Sequence, residues 1–147
     1  MKKIILILLC FFLLGFDRRI QTIDDIVYYY KTPKEIASWI RKNIWYRKDI
    51  DKWGVRDYWQ TSEETLTIDK DKGERTGDCE DFAILARDCL YLIDINAELF
   101  IFRKTKTLSH AVCIFEYNNK WCYIDLGDYC ETRAKSKDEL KQIIRRK

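Results

Sequence analysis

The chain has 147 residues, of which 47% are hydrophobic and 14% aromatic, so it can bury the core of one folded domain and is not an intrinsically disordered protein. The formal charge is +3, and it falls to +1 when Lys2 and Lys3 are left out. A nearly neutral balance argues against a nucleic-acid-binding protein, which usually carries a strong basic surplus.

Export is indicated by the first residues of the chain. Lys2 and Lys3 precede an apolar run at residues 4–16, a pattern typical of a signal peptide. The run is shorter than the ~20 residues that span a bilayer as a helix, and no small-residue cleavage site follows it. We expect residues 1–16 to be a signal peptide or an uncleaved membrane anchor, with a buried N-terminal helix as the alternative. Residues 17–147 then form one domain in an exported or membrane-anchored protein.

Helix signals dominate the first half of the chain. Residues 24–30 form a short predicted helix. Thr32, with Pro33 and Glu35 after it, predicts a second, because threonine and glutamate at this spacing form a capping box and proline is favoured at the first helical position. Thr61 with Glu64 predicts a third, short helix.

The two segments on either side of the third helix lack a regular apolar pattern. Residues 46–58 are charged and aromatic, and residues 69–76 are charged with few apolar side chains. We expect both to be loops.

A turn at Gly77 leads into a helix expected over residues 79–93. Gly77 can take backbone conformations closed to other residues, and Asp78 is a good N-cap with Asp81 in support. Cys79 is then the first helical residue, where the helix dipole favours a thiolate. Neighbouring carboxylates oppose this, so a catalytic thiol would need a basic partner. His110 is the chain's one histidine.

The last third of the chain changes to strand patterns. Strands are expected at residues 97–103, 108–117 and 120–126, with Asn118 and Asn119 as the turn between the second and third. With a two-residue turn, the residue numbers of each cross-strand pair add up to 237. This register puts His110 and Asp125 on one sheet face as diagonal neighbours. A three-residue turn would put them on opposite faces.

The last predicted element is a helix capped by Ser136. Leu140, Ile143 and Ile144 form a narrow apolar stripe on it. Residues 131–147 hold seven basic and three acidic side chains. A solvated helix face explains this surplus, with attraction to a membrane surface as the alternative.

Cys79, His110 and Asp125 together suggest a nucleophile, its base and an orienting acid. The state of the other cysteines stays open. Cys10 lies in the signal-like run, and five cysteines remain after it, which fits one free thiol with up to two bridges or no bridge at all.

Four segments resemble the transglutaminase-like superfamily, of papain-like fold. They are residues 58–66 (YWQTSEETL), 77–83 (GDCEDFA), 109–112 (SHAV) and 121–125 (WCYID). The first two look most similar to the bacterial transglutaminase-like cysteine proteinases. The resemblance implies an α+β domain in which the catalytic helix packs on a small antiparallel β-sheet.

The resemblance implies Cys79 as nucleophile, His110 as base and Asp125 as orienting acid, with Asp128 as a second candidate for the acid. An oxyanion hole would use the Cys79 backbone N–H with a side-chain donor, Gln60 or Trp59. The expected activity is hydrolysis of an amide or peptide bond in a protein or peptide substrate, through a thioester. Alternatives are protein-glutamine transglutamination and an inactive binding module. No cofactor and no required metal are expected, because nothing resembles a calcium loop.

Overall fold

The computed structural model describes residues 20–147. The predicted signal or anchor at residues 1–16 lies outside this range. None of the helices in residues 20–147 combines the length and apolarity needed to cross a membrane.

Hydroxyl side chains cap the N-termini of four of the helices. Thr22, Thr32, Thr61 and Ser136 each accept a hydrogen bond from a backbone N–H three residues on, which confirms the predicted starts at Thr32, Thr61 and Ser136. The helices are α1 (Ile23–Tyr29), α2 (Pro33–Asn43), α3 (Asp49–Trp53), α4 (Ser62–Leu66), α5 (Cys79–Tyr91) and α6 (Lys137–Arg145).

Seven strands form two sheets. A three-stranded sheet has the order β1-β3-β2, with β1 parallel to β3, and a four-stranded antiparallel sheet has the order β4-β5-β6-β7. The strands are β1 (Ile44–Tyr46), β2 (Ile68–Asp69), β3 (Glu74–Gly77), β4 (Ala97–Arg103), β5 (Ser109–Tyr117), β6 (Lys120–Asp125) and β7 (Asp128–Glu131).

The small sheet and α3 correct the sequence interpretation, which treated residues 46–58 and 69–76 as loops. β2 and β3 are short, and β1 pairs with β3 across some thirty residues of chain: Tyr46 lies opposite Gly77. Local periodicity carries no sign of such long-range pairing. β7 was missed for a similar reason, since its four residues include no strong apolar alternation.

The predicted two-residue turn between β5 and β6 is confirmed. Asn118 and Asn119 both have positive φ, 52° and 59°, as a tight hairpin turn requires. Cys113 pairs with Ile124, the register in which paired positions sum to 237. His110 and Asp125 therefore lie on the same face of the sheet.

Helix α5 is at the centre of the core. Ala83, Ala86 and Leu90 are buried, and the helix packs on the sheet face that carries Ala111 and Cys113. A separate cluster on the other face of the sheet lies under α6: Phe100, Phe102, Val112, Ile114, Tyr123, Ala134, Leu140 and Ile144. The arrangement is the predicted α+β fold, with a helix packed on an antiparallel sheet.

The C-terminal end of α5 differs slightly from the prediction. The helix ends at Tyr91, two residues before the expected Ile93. Asp94, with φ 59°, takes a left-handed conformation just after the helix. Hydrogen bonds from the N–H groups of Ile93 and Ile95 to the Leu90 carbonyl form this terminal turn.

Candidate active site

Cys79 is the first residue of α5, as predicted. The turn before it requires a residue without a side chain at position 77. Gly77 does not have the positive φ that the sequence interpretation expected. A Cβ atom there would instead lie 2.7 Å from the Asp81 Cβ and 2.9 Å from its Oδ2. Asp81 Oδ2 accepts the backbone N–H of Asp78 at 3.0 Å. Gly77 is therefore needed so that the Asp81 carboxylate can cap the helix.

The Cys79 sulfur contacts two groups. Its thiol donates to Glu80 Oε2 at 2.9 Å, and the backbone N–H of Ala111 donates to the sulfur. The Ala111 N–H belongs to the peptide that follows His110, so the sulfur meets β5 beside the histidine. Among residues 20–147 the thiol makes no hydrogen bond to the His110 ring.

Burial controls the ionisation of Cys79. Desolvation, followed by the hydrogen bond to Glu80 and its charge, raises the pKa of the Cys79 thiol to about 12. The sequence interpretation expected the helix dipole to favour a thiolate. In this conformation burial and the adjacent carboxylate outweigh the dipole, and the sulfur is a protonated thiol at neutral pH.

His110 and Asp125 are in direct contact. His110 Nε2 lies 2.7 Å from Asp125 Oδ1, and the histidine side chain is only 11% exposed. Phe102, paired with His110 across β4 and β5, presents its ring to the imidazole edge-to-face at 5.7 Å. Within the described chain Nδ1 makes no hydrogen bond, so that nitrogen is available to a proton donor or acceptor.

The turn after Asp125 packs closely against α2. Gly127 has φ 82°, and a Cβ atom there would lie 2.6 Å from the Arg41 backbone nitrogen, so only glycine allows this close contact with α2. Asp128, the second candidate for the acid, forms an exposed ion pair with Arg41. Of the two aspartates, Asp125 is the one that contacts His110.

Gln60 and Trp59, the side chains expected to donate to an oxyanion, are engaged elsewhere. The Gln60 amide nitrogen donates to Asp81 Oδ2 and, at 3.4 Å, to the Thr76 carbonyl; its Oε1 accepts Lys52 Nζ at 2.5 Å. The Trp59 indole N–H donates to Asp57 Oδ1 at 2.9 Å. An oxyanion role for either side chain would require these hydrogen bonds to break, and it stays a prediction.

Carboxylates surround the N-terminus of α5. Three groups each bring their oxygen or sulfur ligand atoms within 4.8 Å of one another. The groups are Asp78 with Cys79 and Glu80, Asp49 with Asp78 and Asp81, and Asp49 with Asp57 and Glu80.

Two oxygens of this acidic cluster are buried without a hydrogen-bond partner in residues 20–147. They are Oδ1 of Asp49, a residue 1% exposed, and Oδ1 of Asp78, a residue 9% exposed. Burial, together with the charges of Glu80 and Asp81, raises the pKa of Asp78 to about 8. The cluster is thus electrostatically unfavourable when all of its carboxyls are charged.

The sequence interpretation missed three residues near Cys79, namely Tyr46, Asp49 and Asp57. All three lie in the segment that was expected to be a loop. Desolvation and, when they are ionised, Cys79 and Asp49 raise the pKa of Tyr46, and Asp57 hydrogen bonds to Glu80. Only the concentration of acids and aromatics in residues 46–58 hinted at this proximity.

The described cysteines are all free thiols, which answers a question that the sequence left open. The five are Cys79, Cys89, Cys113, Cys122 and Cys130. Cys89 and Cys113 are fully buried, and desolvation raises the pKa of each thiol. Both are packing residues of the core.

A family model described as a transglutaminase-like domain matches residues 20–143. The chain belongs to this family. The match covers both sheets and every candidate site residue, and it confirms the resemblance found in the sequence. No curated protein matches the chain.

Solved structures of Legionella pneumophila LapG are similar in fold. One matches at 20% identity and TM-score 0.50, the EGTA-treated form at 21% and 0.51, and the calcium-bound form at 20% and 0.50. The matches cover 74%, 77% and 75% of this chain. The chain spans 62% of the length of each LapG structure.

Proposed function

We propose that this protein is a thiol-dependent enzyme that cleaves amide or peptide bonds in a protein or peptide substrate. The Cys79 sulfur would attack the carbonyl carbon while His110 accepts the thiol proton. His110 would then give that proton to the departing amine, which leaves a thioester on Cys79. Water resolves the thioester in a hydrolase, and a second amine resolves it in a transamidase.

The hydrogen bond between His110 and Asp125 is the observation that carries the proposal. A carboxylate on Nε2 fixes the ring tautomer and stabilises the imidazolium that forms when Nδ1 takes a proton. The sulfur of Cys79 contacts the peptide joining His110 to Ala111. Hydrogen bonds between nucleophile and base are often incomplete before substrate binds, so a Cys79 thiol turned to Glu80 is compatible with the mechanism.

The first experiment measures acylation by p-nitrophenyl acetate, an activated ester that needs no specific recognition. We expect a burst of p-nitrophenolate and an acetyl group on Cys79, located by mass spectrometry. Cys79→Ala and His110→Ala should each reduce acylation by about 10³-fold or more. Cys130→Ala, which removes a partly exposed thiol elsewhere, is the control and should keep the wild-type rate.

A second experiment separates hydrolysis from transamidation. Casein is incubated with the protein and dansylcadaverine, and the products are examined by mass spectrometry. Cys79-dependent peptide fragments would show a peptidase, and Cys79-dependent dansyl incorporation a transamidase. If wild-type protein is acylated no faster than Cys79→Ala, the enzyme proposal is wrong, and an inactive binding module with the same fold is the remaining alternative.

We also propose that the acidic cluster binds a divalent cation, which the sequence interpretation did not expect. Buried carboxylates with unpartnered oxygens suit a hard cation such as calcium, and one similar LapG structure is described as calcium-bound. Asp49 would hold the ion together with Asp57 and Glu80 or with Asp78 and Asp81. Glu80 also accepts the Cys79 thiol, so the two interactions would compete for one carboxylate.

Thermal unfolding tests cation binding without reference to activity. Saturating calcium should raise the Tm by about 5 °C or more, because the ion binds the folded state only, and EGTA should reverse the rise. Asp49→Asn should abolish the effect. Asp51→Asn, an exposed neighbour on α3 outside the three groups, should retain it. A Tm that calcium leaves unchanged in the wild type would contradict the proposal.

We propose that the protein acts outside the cytoplasm, either released or tethered to the membrane through residues 1–16. The support is the pair of lysines before an apolar run. Fractionation of bacteria that express the full chain should place it in the periplasm or membrane. Replacing Leu8 and Leu9 with Arg should retain it in the cytoplasm.

A further inference from the structure

The proposed reaction needs a hydrogen-bond donor for the negative oxygen that forms when the sulfur adds to a carbonyl. The backbone N–H of Cys79 is one such group, since the first N–H groups of a helix have no intrahelical acceptor. Gln60 and Trp59 already donate to carboxylates. A different side chain must supply the second donor, or Gln60 or Trp59 must change partner.

Tyr46 is placed for this task by strand pairing. It ends β1 and lies opposite Gly77, two residues before Cys79, in the parallel β1–β3 pair. The backbone N–H of Arg47 donates to the Gly77 carbonyl at 2.8 Å and continues this pairing past the end of the strand. The backbone of Tyr46 is therefore held beside the N-terminus of α5, and the phenol is close enough to Cys79 for an ionised sulfur to affect its pKa.

The surroundings of the phenol suit a donor that awaits a ligand. Tyr46 is 54% exposed, and within residues 20–147 its hydroxyl makes no hydrogen bond. Desolvation and the charges of Cys79 and Asp78 raise the pKa of Tyr46 to about 12, so the hydroxyl keeps its proton at neutral pH.

We propose that the Tyr46 hydroxyl donates a hydrogen bond to the oxyanion formed when Cys79 attacks a substrate carbonyl. The inference rests on the proposed function and names a further catalytic residue for it. As the carbon–sulfur bond forms, the carbonyl π electrons move to oxygen and the thiol proton moves to His110. Tyr46 stabilises that oxygen until the carbonyl re-forms and the leaving group departs.

Two reactions of the Cys79 sulfur distinguish stabilisation of the oxyanion from a change in the reactivity of the thiol itself. Acylation by p-nitrophenyl acetate passes through an oxyanion, whereas alkylation by iodoacetamide displaces iodide from a methylene carbon and forms none. Tyr46→Phe should slow acylation by about 10- to 100-fold, below the larger losses seen for donors in optimised oxyanion holes. It should leave the rate of Cys79 alkylation unchanged.

Two variants serve as comparisons. Tyr91→Phe removes a hydroxyl of similar exposure at the far end of α5, 49% against 54%, and should keep both rates. Trp59→Phe removes the indole N–H from an exposed side chain and tests the rival donor. It should slow acylation by less than Tyr46→Phe.

The outcomes are distinct. Equal acylation rates for Tyr46→Phe and wild type would overturn the proposal, as would a parallel loss of acylation and alkylation, which would place Tyr46 in control of the thiol. A selective loss in Trp59→Phe alone would assign the donor to Trp59. Absence of Cys79-dependent acylation in the wild type would contradict the proposed function itself, and this inference with it.

Discussion

At the scale of single residues, Asp125 illustrates how a side chain gains a role from its neighbour. It lies 2.7 Å from the histidine nitrogen and is 35% exposed, whereas Asp128 pairs with Arg41 at the surface. Both are aspartates of one hairpin, so residue type alone does not separate them. Contact with His110 does.

This contact leads to a prediction with a matched control. Asp125→Ala should slow Cys79 acylation by about 10²-fold or more, because the ring loses its orienting acceptor. Asp125→Asn should retain more activity, since an amide oxygen can still accept from an imidazole N–H, as in the Cys-His-Asn enzymes. Asp128→Ala should stay within about threefold of wild type, because an exposed ion pair contributes little. Equal losses at both aspartates would contradict the assignment.

Gly77 gives a second prediction at this scale. A methyl group there would lie 2.7 Å from the Asp81 Cβ, well inside contact distance. Gly77→Ala should therefore lower the free energy of unfolding by about 1–3 kcal/mol, as overpacking does in other buried sites. Urea denaturation measures it. A change below about 0.5 kcal/mol would mean that the α5 N-terminus can shift to accept the methyl group.

At the scale of elements, the β5–β6 hairpin fixes the geometry of the candidate site. Its two-residue turn sets the register, and the register places His110 and Asp125 on one face. A shift of one residue would move one of them to the opposite face. The turn is as important to the site as either side chain, although it lies at the other end of the strands.

Substitutions at Asn119 test the turn. Asn119 has φ 59°, a conformation that glycine adopts freely and a β-branched residue does not. Asn119→Gly should raise the free energy of unfolding or leave it unchanged, and Asn119→Val should lower it by about 1–2 kcal/mol. Chemical denaturation of the two variants side by side measures the difference. If Asn119→Val were as stable as Asn119→Gly, the turn would not be the two-residue type.

At the scale of the whole molecule, hydrophobic packing rather than covalent cross-linking holds the fold together. The core buries α5 between α1, α2 and the large sheet, and the described cysteines form no bridge. Cys89 and Cys113 are both fully buried, which isolates them from solvent and reagents. A disulfide scaffold, one of the possibilities that the sequence left open, does not describe this structure.

Thiol chemistry on the intact protein tests that conclusion. Mass spectrometry of non-reduced protein should show the mass of the fully reduced chain, and a reductant should leave the Tm unchanged. Iodoacetamide under native conditions should leave Cys89 and Cys113 unmodified, because desolvation raises their pKa and excludes the reagent. Denaturation should expose both. A mass deficit of one hydrogen pair would reveal a bridge.

The sequence by itself determined features that depend on neighbours along the chain. Thr32, Thr61 and Ser136 start helices because their hydroxyls satisfy backbone N–H groups three residues away. Asn118 and Asn119 specify a turn, and the alternation of the strands then places His110 and Asp125 together. The interactions behind these signals form between residues only a few positions apart, so the sequence alone reveals them.

Only the tertiary structure decided what surrounds the Cys79 sulfur. Whether the helix dipole or desolvation controls the thiol depends on burial, which local pattern does not reveal. Tyr46 and Asp49 approach α5 because β1 pairs with β3 across a long stretch of chain. Pairing of that kind is a property of the folded molecule, since its stabilising contacts form between segments that share no local pattern.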